Sequence, residues 1–323
     1  MARALLTCVS HGPALTAPAP EPPEHKPLMA AYAARAEAFR AFDPELVILF
    51  APDHYTGVHL QMVPPFAVGL AAEAVADFGG RPGRLRVPAE LGLRLAEAVR
   101  AADIDIAVGY DLTVDHGFSQ PLYGLAGALD RYPTLPVFIN TTCAPVSAFR
   151  RVRLLGEAVG RFAHTLGLRV ALVASGGLSH HPVNVFPPTP NDIVPGLEDY
   201  LVFGGAKGGM DRDAWIAHLG RGVVAGGQAV VRGEKTAKDF RLNPAWDRGF
   251  LDAFLAGDYP AFDAWDPQAV IEQAGVGAIE VQQWIAAGSA AAAFGLVSSQ
   301  LDFYYSGAEY RISVCVAHAG PSS

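Results

Sequence analysis

The chain has 323 residues, 51% hydrophobic and 17% charged, which is ample for a buried core and too apolar for a disordered chain. Its 32 acidic and 24 basic residues leave a formal charge of -8, and the Lys and Arg residues form no run or stripe, so nucleic acid is not an expected partner. Three cysteines, Cys8, Cys143 and Cys315, without CxxC spacing, indicate neither a disulfide framework nor a thiolate zinc site. Cys8 and Cys315 fall in apolar runs and are expected as small buried thiols.

The first apolar stretch is interrupted by Ser10, His11 and Gly12 before a signal peptide or membrane span would be complete, so a cytoplasmic protein without membrane contact is expected. After Pro27, LMAAYAARAEAFRAF has helical periodicity and stops at Asp43 and Pro44, ahead of the β-rich LVILF. A second helix, AELGLRLAEAVRAA, follows Pro88 and precedes a strand at DIDIAVG. The run LPVFIN, Leu135 to Asn140, reads as a further core strand, and a third helix from about Pro145 to Leu166 precedes the strand RVALVAS. Alternation of this kind is the pattern of a βαβ architecture. The expected fold is α/β: a three-layer α/β/α core with a central mixed sheet, helices more frequent in the second half, in a single catalytic domain over residues 1–323. From His181 to Gly209, five prolines and five glycines without periodicity read as a long loop that serves as a lid or substrate wall. Beyond it, DRDAWIAHLGRGVVAGGQAVVRG and IEVQQWIAAGSAAAAFG read as helices, with an acidic, aromatic stretch between them. They are expected to pack on the sheet and close the site.

Four of the ten histidines, His11, His54, His116 and His180, stand just past apolar runs that read as strands. The ligand crevice of an open α/β sheet lies at the carboxyl ends of its strands, so these imidazoles are expected to converge. His11 and His54 are the metal-ligand candidates. Each directly follows a strand, Pro13 and Pro52 stiffen the two turns, and Asp53 adjoins His54. Either one alone reads better as a core histidine held by a backbone carbonyl; their parallel placement argues for ligation, and an iron(II) site needs two imidazoles and a carboxylate on one face. His116 and His180 lie in the glycine-bordered segments DHGFSQP and SGGLSHHP, where small residues admit a substrate and an imidazole is left to exchange protons near neutral pH. Asp115 either orients a neighbouring imidazole or caps the turn beginning at Gly117. His180 and His181 are adjacent and are expected to point opposite ways, so that one of them faces the pocket. His25, His59, His164, His218 and His318 read as structural or solvated.

The segments VSHGP, FAPDHY at 50–55, VPPF at 63–66, VDHGFSQPL at 114–122, LPVFIN, GRFAHTLGLRV, SGGLSHHP and EVQQWIAA, in this order, resemble the class III extradiol ring-cleaving dioxygenases. Nearest among these are the bacterial enzymes acting on 2,3-dihydroxyphenylpropionate. The resemblance runs nearly end to end and is weakest from Val183 to about Leu242 and near the C-terminus. It implies iron(II) held by His11, His54 and Glu280, with His116 and His180 as acid and base and Asp115 beside them. Glu280 stands among apolar Ile279, Ile285 and Ala286, where a carboxylate is costly unless paired or metal-bound. The implied reaction is cleavage, by O2, of a 3-substituted catechol such as 2,3-dihydroxyphenylpropionate or 2,3-dihydroxycinnamate to a yellow 2-hydroxymuconic semialdehyde-type acid. Catechol and O2 are then the partners of the chain, and its apolar content leads us to expect a homo-oligomer. A metal-dependent hydrolase using the same His/Glu site and a non-enzymatic binding relative of the fold are the alternatives. Oxygen uptake separates the first, and metal analysis the second.

Overall fold

The computed structural model describes residues 3–182 and 193–320. In chain order the first half comprises β1 (Arg3–Val9), α1 (His25–Phe42), β2 (Leu46–Ala51), β3 (Phe66–Gly69), β4 (Ala72–Ala74), β5 (Gly83–Arg84), α2 (Ala89–Ala101) and β6 (Ala107–Gly109). There follow β7 (Leu112–Val114), α3 (His116–Ala126), β8 (Thr134–Ile139), α4 (Phe149–Thr165) and β9 (Arg169–Ser175). The second half comprises α5 (Glu198–Phe203), α6 (Arg212–Val231), α7 (Pro244–Ala256), α8 (Pro267–Ala274), α9 (Val281–Ala292), β10 (Gln300–Gly307) and β11 (Ile312–Ala319). Short 3₁₀ turns occupy Tyr259–Ala264 and Val276–Glu280. No helix among the described residues is long and apolar enough to cross a membrane.

The large sheet has the order β10-β11-β1-β9-β2-β8-β3-β6, and β1, β9, β2 and β8 run parallel at its centre. Both faces of this centre are covered, and alternate residues of each strand serve opposite layers. On β2, Leu46, Ile48 and Phe50 pack with α2, α4 and α9, whereas Val47, Leu49 and Ala51 pack with α1 and α3. That double burial is why LVILF, LPVFIN and RVALVAS read as unbroken apolar runs. The layering is the three-layer α/β/α core expected.

Four details differ from the expectations. DIDIAVG is strand only at Ala107–Gly109, which pairs with β3 alone at the sheet edge. The residues after it form β7 in a separate small sheet of order β5-β4-β7, so His116 follows a strand of that sheet and not of the large one. The stretch 181–209 is not wholly loop: 183–192 lie outside the described residues, but Glu198–Phe203 is helical, with Tyr200 and Leu201 buried against Tyr55 and Trp215. Six residues are too few to display a helical period. The chain also returns to the sheet after the helices, where β11 pairs antiparallel with β1 and β10 with β11.

Helices α4 and α9 meet backbone to backbone. A Cβ on Gly156 would lie 2.2 Å from the carbonyl oxygen of Ala286, and one on Gly160 would lie 2.3 Å from that of Ala290. Helix α9 begins immediately after Glu280, so this contact sets where that carboxylate stands. Gly156→Ala should therefore destabilise by about 1–3 kcal/mol through overpacking, despite the ~1 kcal/mol that alanine gains in helix propensity. Urea denaturation reads this directly; an unchanged midpoint would mean that the helix pair yields.

Candidate active site

Strands β1, β9 and β2 are parallel neighbours, and just beyond their carboxyl ends stand His11, His180 and His54. β7 leads into Asp115 and His116, and the 3₁₀ turn Val276–Glu280 brings Glu280. His11, His54, His116, His180 and Glu280 are all buried and line one cavity of about 530 Å³. Phe78, Leu219, Val223 and Ile312 give that cavity an apolar wall.

The ring nitrogens are oriented by their second partners. Ser175 Oγ donates to the Gly117 carbonyl at 2.5 Å, so it accepts from His11 Nδ1 at 2.8 Å and leaves the His11 Nε2 lone pair facing the cavity. His54 Nδ1 donates to Asp115 Oδ2 at 2.7 Å, which turns its Nε2 the same way. Asp115 performs both of the tasks weighed for it. The same oxygen accepts the backbone N–H of His54, while Oδ1 accepts that of Gly117 and caps α3. The two Nε2 atoms stand 3.4 Å apart; Glu280 Oε2 is 3.8 Å from that of His11, and Oε1 is 3.5 Å from that of His54. Asp53 points elsewhere, accepting the N–H groups of Thr56, Gly57 and Val58, and burial next to Asp115 raises its pKa to about 7.

Burial drives His11 down to about 3, against the pull of Glu280. Burial also opposes charge on His54, but Asp115 and then Glu280 outweigh it and hold this imidazole well above its usual range. For Glu280 burial favours the neutral acid, yet His11, His54 and His180 together keep the carboxyl well below the usual carboxylate range. Burial works the same way on Asp115, where His54 and His116 prevail. Two ionised carboxylates are thus enclosed among imidazoles, an environment that favours a cation.

His116 opens α3 instead of lying in a flexible loop, because Asp115 caps the helix there. Its Nδ1 donates to Asp77 Oδ2 at 2.5 Å, and its ring stacks on His54 with centroids 4.5 Å apart at 19°. Asp77 carries no sequence signal; VADFGG matches no motif, and only the fold brings it to His116. His180 Nδ1 donates to the Leu178 carbonyl at 2.9 Å, leaving Nε2 3.9 Å from Glu280 Oε1. The glycines of SGGLSHHP make room for protein, not for substrate. A Cβ on Gly176 would lie 2.8 Å from the Glu280 carbonyl oxygen, one on Gly177 would lie 2.0 Å from Ile312 Cδ1, and Gly177 N donates to Glu280 Oε2 at 2.8 Å. Asp247, also unmarked in the sequence, accepts from Ser179 N and Ser179 Oγ at 2.9 Å each and so anchors the residue before His180.

His181 lines the same cavity, but its Nδ1 accepts from Val276 N at 3.1 Å. Burial, with Arg241 and His180 adding to it, lowers its pKa to about 4. Of the histidines set aside, His164 and His218 lie on α4 and α6, and His318 pairs with Asp302 at 2.8 Å. His25 contacts the Tyr310 hydroxyl at 2.8 Å, and His59 is partly buried against Tyr200, so neither is simply solvated.

Residues 5–311 match the family described as the catalytic LigB subunit of aromatic ring-opening dioxygenase. The chain belongs to the LigB family. Membership makes the protein a ring-opening dioxygenase and sets aside the hydrolase and the non-catalytic binding protein. The chain is 40% identical over 321 residues to a Cupriavidus pinatubonensis protein named 2,3-dihydroxyphenylpropionate/2,3-dihydroxicinnamic acid 1,2-dioxygenase, with 98% of each chain covered. It is 41% identical over 318 residues to the Paraburkholderia xenovorans protein of that name, again covering 98% of each. With the Klebsiella pneumoniae protein of that name it shares 40% over 303 residues, 93% of each. The crystal structure of an uncharacterized Escherichia coli K12 protein superposes with a TM-score of 0.52 at 14% identity, covering 98% of this chain and 100% of that one, a likeness of fold.

His181 supplies a pH test. Its folded value of about 4 lies below the ordinary 6.5, so it contributes stability above pH 6.5 that is lost as pH falls toward 4. His181→Asn keeps an acceptor for Val276 N and removes the titration. Its thermal midpoint should decline less steeply than that of the wild type across this window; equal slopes would mean that the ring is solvated.

Proposed function

We propose that this LigB-family enzyme binds iron(II) through His11, His54 and Glu280 and opens, by extradiol cleavage with O2, a 3-substituted catechol bearing an acid side chain, 2,3-dihydroxyphenylpropionate or 2,3-dihydroxycinnamate. The observation that carries the reading is the meeting of two imidazole Nε2 atoms and one ionised carboxylate at 3.4–3.8 Å on one side of a buried cavity. Two histidines and one carboxylate on one face, with open positions, are the donor set of non-haem iron(II) oxygenases. The names of relatives about 40% identical along the chain support the substrate.

His116 is the competing ligand, since one of its nitrogens lies within 4.8 Å of those of His11 and His54. Its Nδ1 is committed to Asp77 and its ring stacks face to face on His54 at 19°, whereas the His11 ring stands at 73° to His54. We therefore assign the third position to Glu280. The chemistry supplied by iron(II) there is electron transfer between the aromatic ring and O2.

The remaining work falls to the chain's own groups. His116, held through Nδ1 by Asp77, and His180, held through Nδ1 by Leu178 O, each keep Nε2 for proton exchange with the substrate. One takes a catechol hydroxyl proton and the other returns a proton as the ring opens, each transfer being worth roughly 10²- to 10⁴-fold. Asp115 is a positioning residue that fixes His54 and the start of α3 together. Phe78, Leu219 and Ile312 pack the ring and exclude water. The same reading treats the chain as one catalytic domain, because the family match spans 5–311 and β11 closes against β1. It also keeps a cytoplasmic homo-oligomer, whose subunit number light scattering would give.

Iron-loaded protein mixed with 3-(2,3-dihydroxyphenyl)propionate in air should consume one O2 per ring and form a yellow product. No uptake with any acid-bearing catechol would overturn the reading. His11→Ala, His54→Ala and Glu280→Ala should each lose bound iron, measured by metal analysis, with the fold retained. His116→Gln and His180→Gln should keep iron while turnover falls roughly 10²- to 10⁴-fold, and His181→Asn should remain near wild type.

A further inference from the structure

Tyr310, Arg311 and Ile312, at the junction of the β10–β11 turn with β11, line the cavity, and Arg311 lies against α6. Arg311 has φ +61°, a left-handed backbone that residues other than glycine adopt at a cost. The turn closes through Arg311 N donating to the Ala308 carbonyl at 3.1 Å, a bond that any residue but proline could make. Nothing in the backbone calls for arginine, and glycine would suit it better. The reason for the residue lies in its side chain.

That side chain runs along α6 over Gly226 and Gly227. A Cβ on Gly226 would lie 3.2 Å from Arg311 Cδ, and one on Gly227 would lie 2.9 Å from Nη1. Glycine inside a helix is unfavourable relative to alanine, so a second local cost clears space for the same guanidinium. Arg311 lines both this cavity and a neighbouring one that includes Ala19 and Gly227; its Nη1, on the Gly227 side, is enclosed and has no hydrogen-bond partner among the described residues, and none of their carboxylates forms an ion pair with the guanidinium. Burial lowers the Arg311 pKa, as expected for a guanidinium withdrawn from water without an anion. A planar fork in that situation is matched by a carboxylate, which it can bind through two parallel hydrogen bonds. Lys235 also lines the cavity but is exposed beside Phe240, and the Asp239 carboxylate is taken up by Thr236 N and Oγ1.

We propose that Arg311 is the specificity-determining residue of the site: it binds the carboxylate of the substrate's side chain while the catechol end lies against the histidines. The inference rests on the acid-bearing catechol proposed above and names the group that recognises the acid. Gly226 and Gly227 leave the room beside α6 that the guanidinium occupies.

Two measurements test it. In the first, kcat/KM is compared for 3-(2,3-dihydroxyphenyl)propionate and for uncharged 3-propylcatechol. Arg311→Met should lower the value for the acid by roughly 10- to 100-fold, mainly through KM, and leave 3-propylcatechol near wild type, which also shows that the variant folds. Arg311→Lys should recover part of the loss. Gly227→Ala, which keeps the charge but crowds Nη1, should lose preference for the acid in the same direction. In the second, calorimetry follows binding of 3-phenylpropionate, which has the tail but no hydroxyls; its affinity should fall by a similar factor in Arg311→Met. An Arg311→Met enzyme that keeps its preference for the acid, or a Lys235→Met enzyme that loses it instead, would overturn the assignment. If the wild type cleaves no catechol, the proposed function fails, and the 3-phenylpropionate titration still decides the role of Arg311.

Discussion

Glu280 is an ionised carboxylate with 2% of its surface exposed, and much of the molecule is arranged around its charge. A buried charge left unpaired costs several kcal/mol, so each neighbour has to contribute. Gly177 supplies a backbone donor, His11, His54 and His180 supply a favourable field, and Gly176 stays small so that the backbone of residue 280 can approach. These groups come from the ends of three adjacent parallel strands. A sheet with its parallel strands at the centre is what makes such a gathering cheap, because side-by-side strand ends are already neighbours.

The four site imidazoles differ in what holds Nδ1. A hydroxyl holds His11, a carboxylate holds each of His54 and His116, and a backbone carbonyl holds His180. In every case the second nitrogen is turned inward, so one local rule, an oriented Nδ1, serves four side chains. Asp115 goes further, tying the β2 turn to the start of α3 with three hydrogen bonds. It is at once a cap and an orienting group, which is why neither reading of it from the sequence excluded the other.

The parts legible in the sequence were those with a short-range signature. Apolar runs mark the central strands because both faces are buried, and His11 and His54 stand out because they follow such runs. Glu280 was visible only through family resemblance, since a single acid beside Ile279 announces no partner. Asp77, Asp247 and Arg311 were illegible for a related reason. Their partners or neighbours, His116, Ser179 and Gly226, lie 39, 68 and 85 positions away, and no local pattern encodes such a meeting. Helix α5 is too short to display a period, and β10 and β11 bring the chain back to the sheet only after a long run of helices.

The contact of Gly156 and Gly160 with α9 involves main chain on one side and the absence of side chains on the other. A joint of that kind has no rotamers to rearrange, so the depth of the carboxylate does not drift when core residues elsewhere are exchanged. Another part of the cavity lining comes from the side chains of α6 and of residues 310–312. Substitutions on α6 or at 310–312 can therefore alter that lining without touching the main-chain joint that seats the carboxylate.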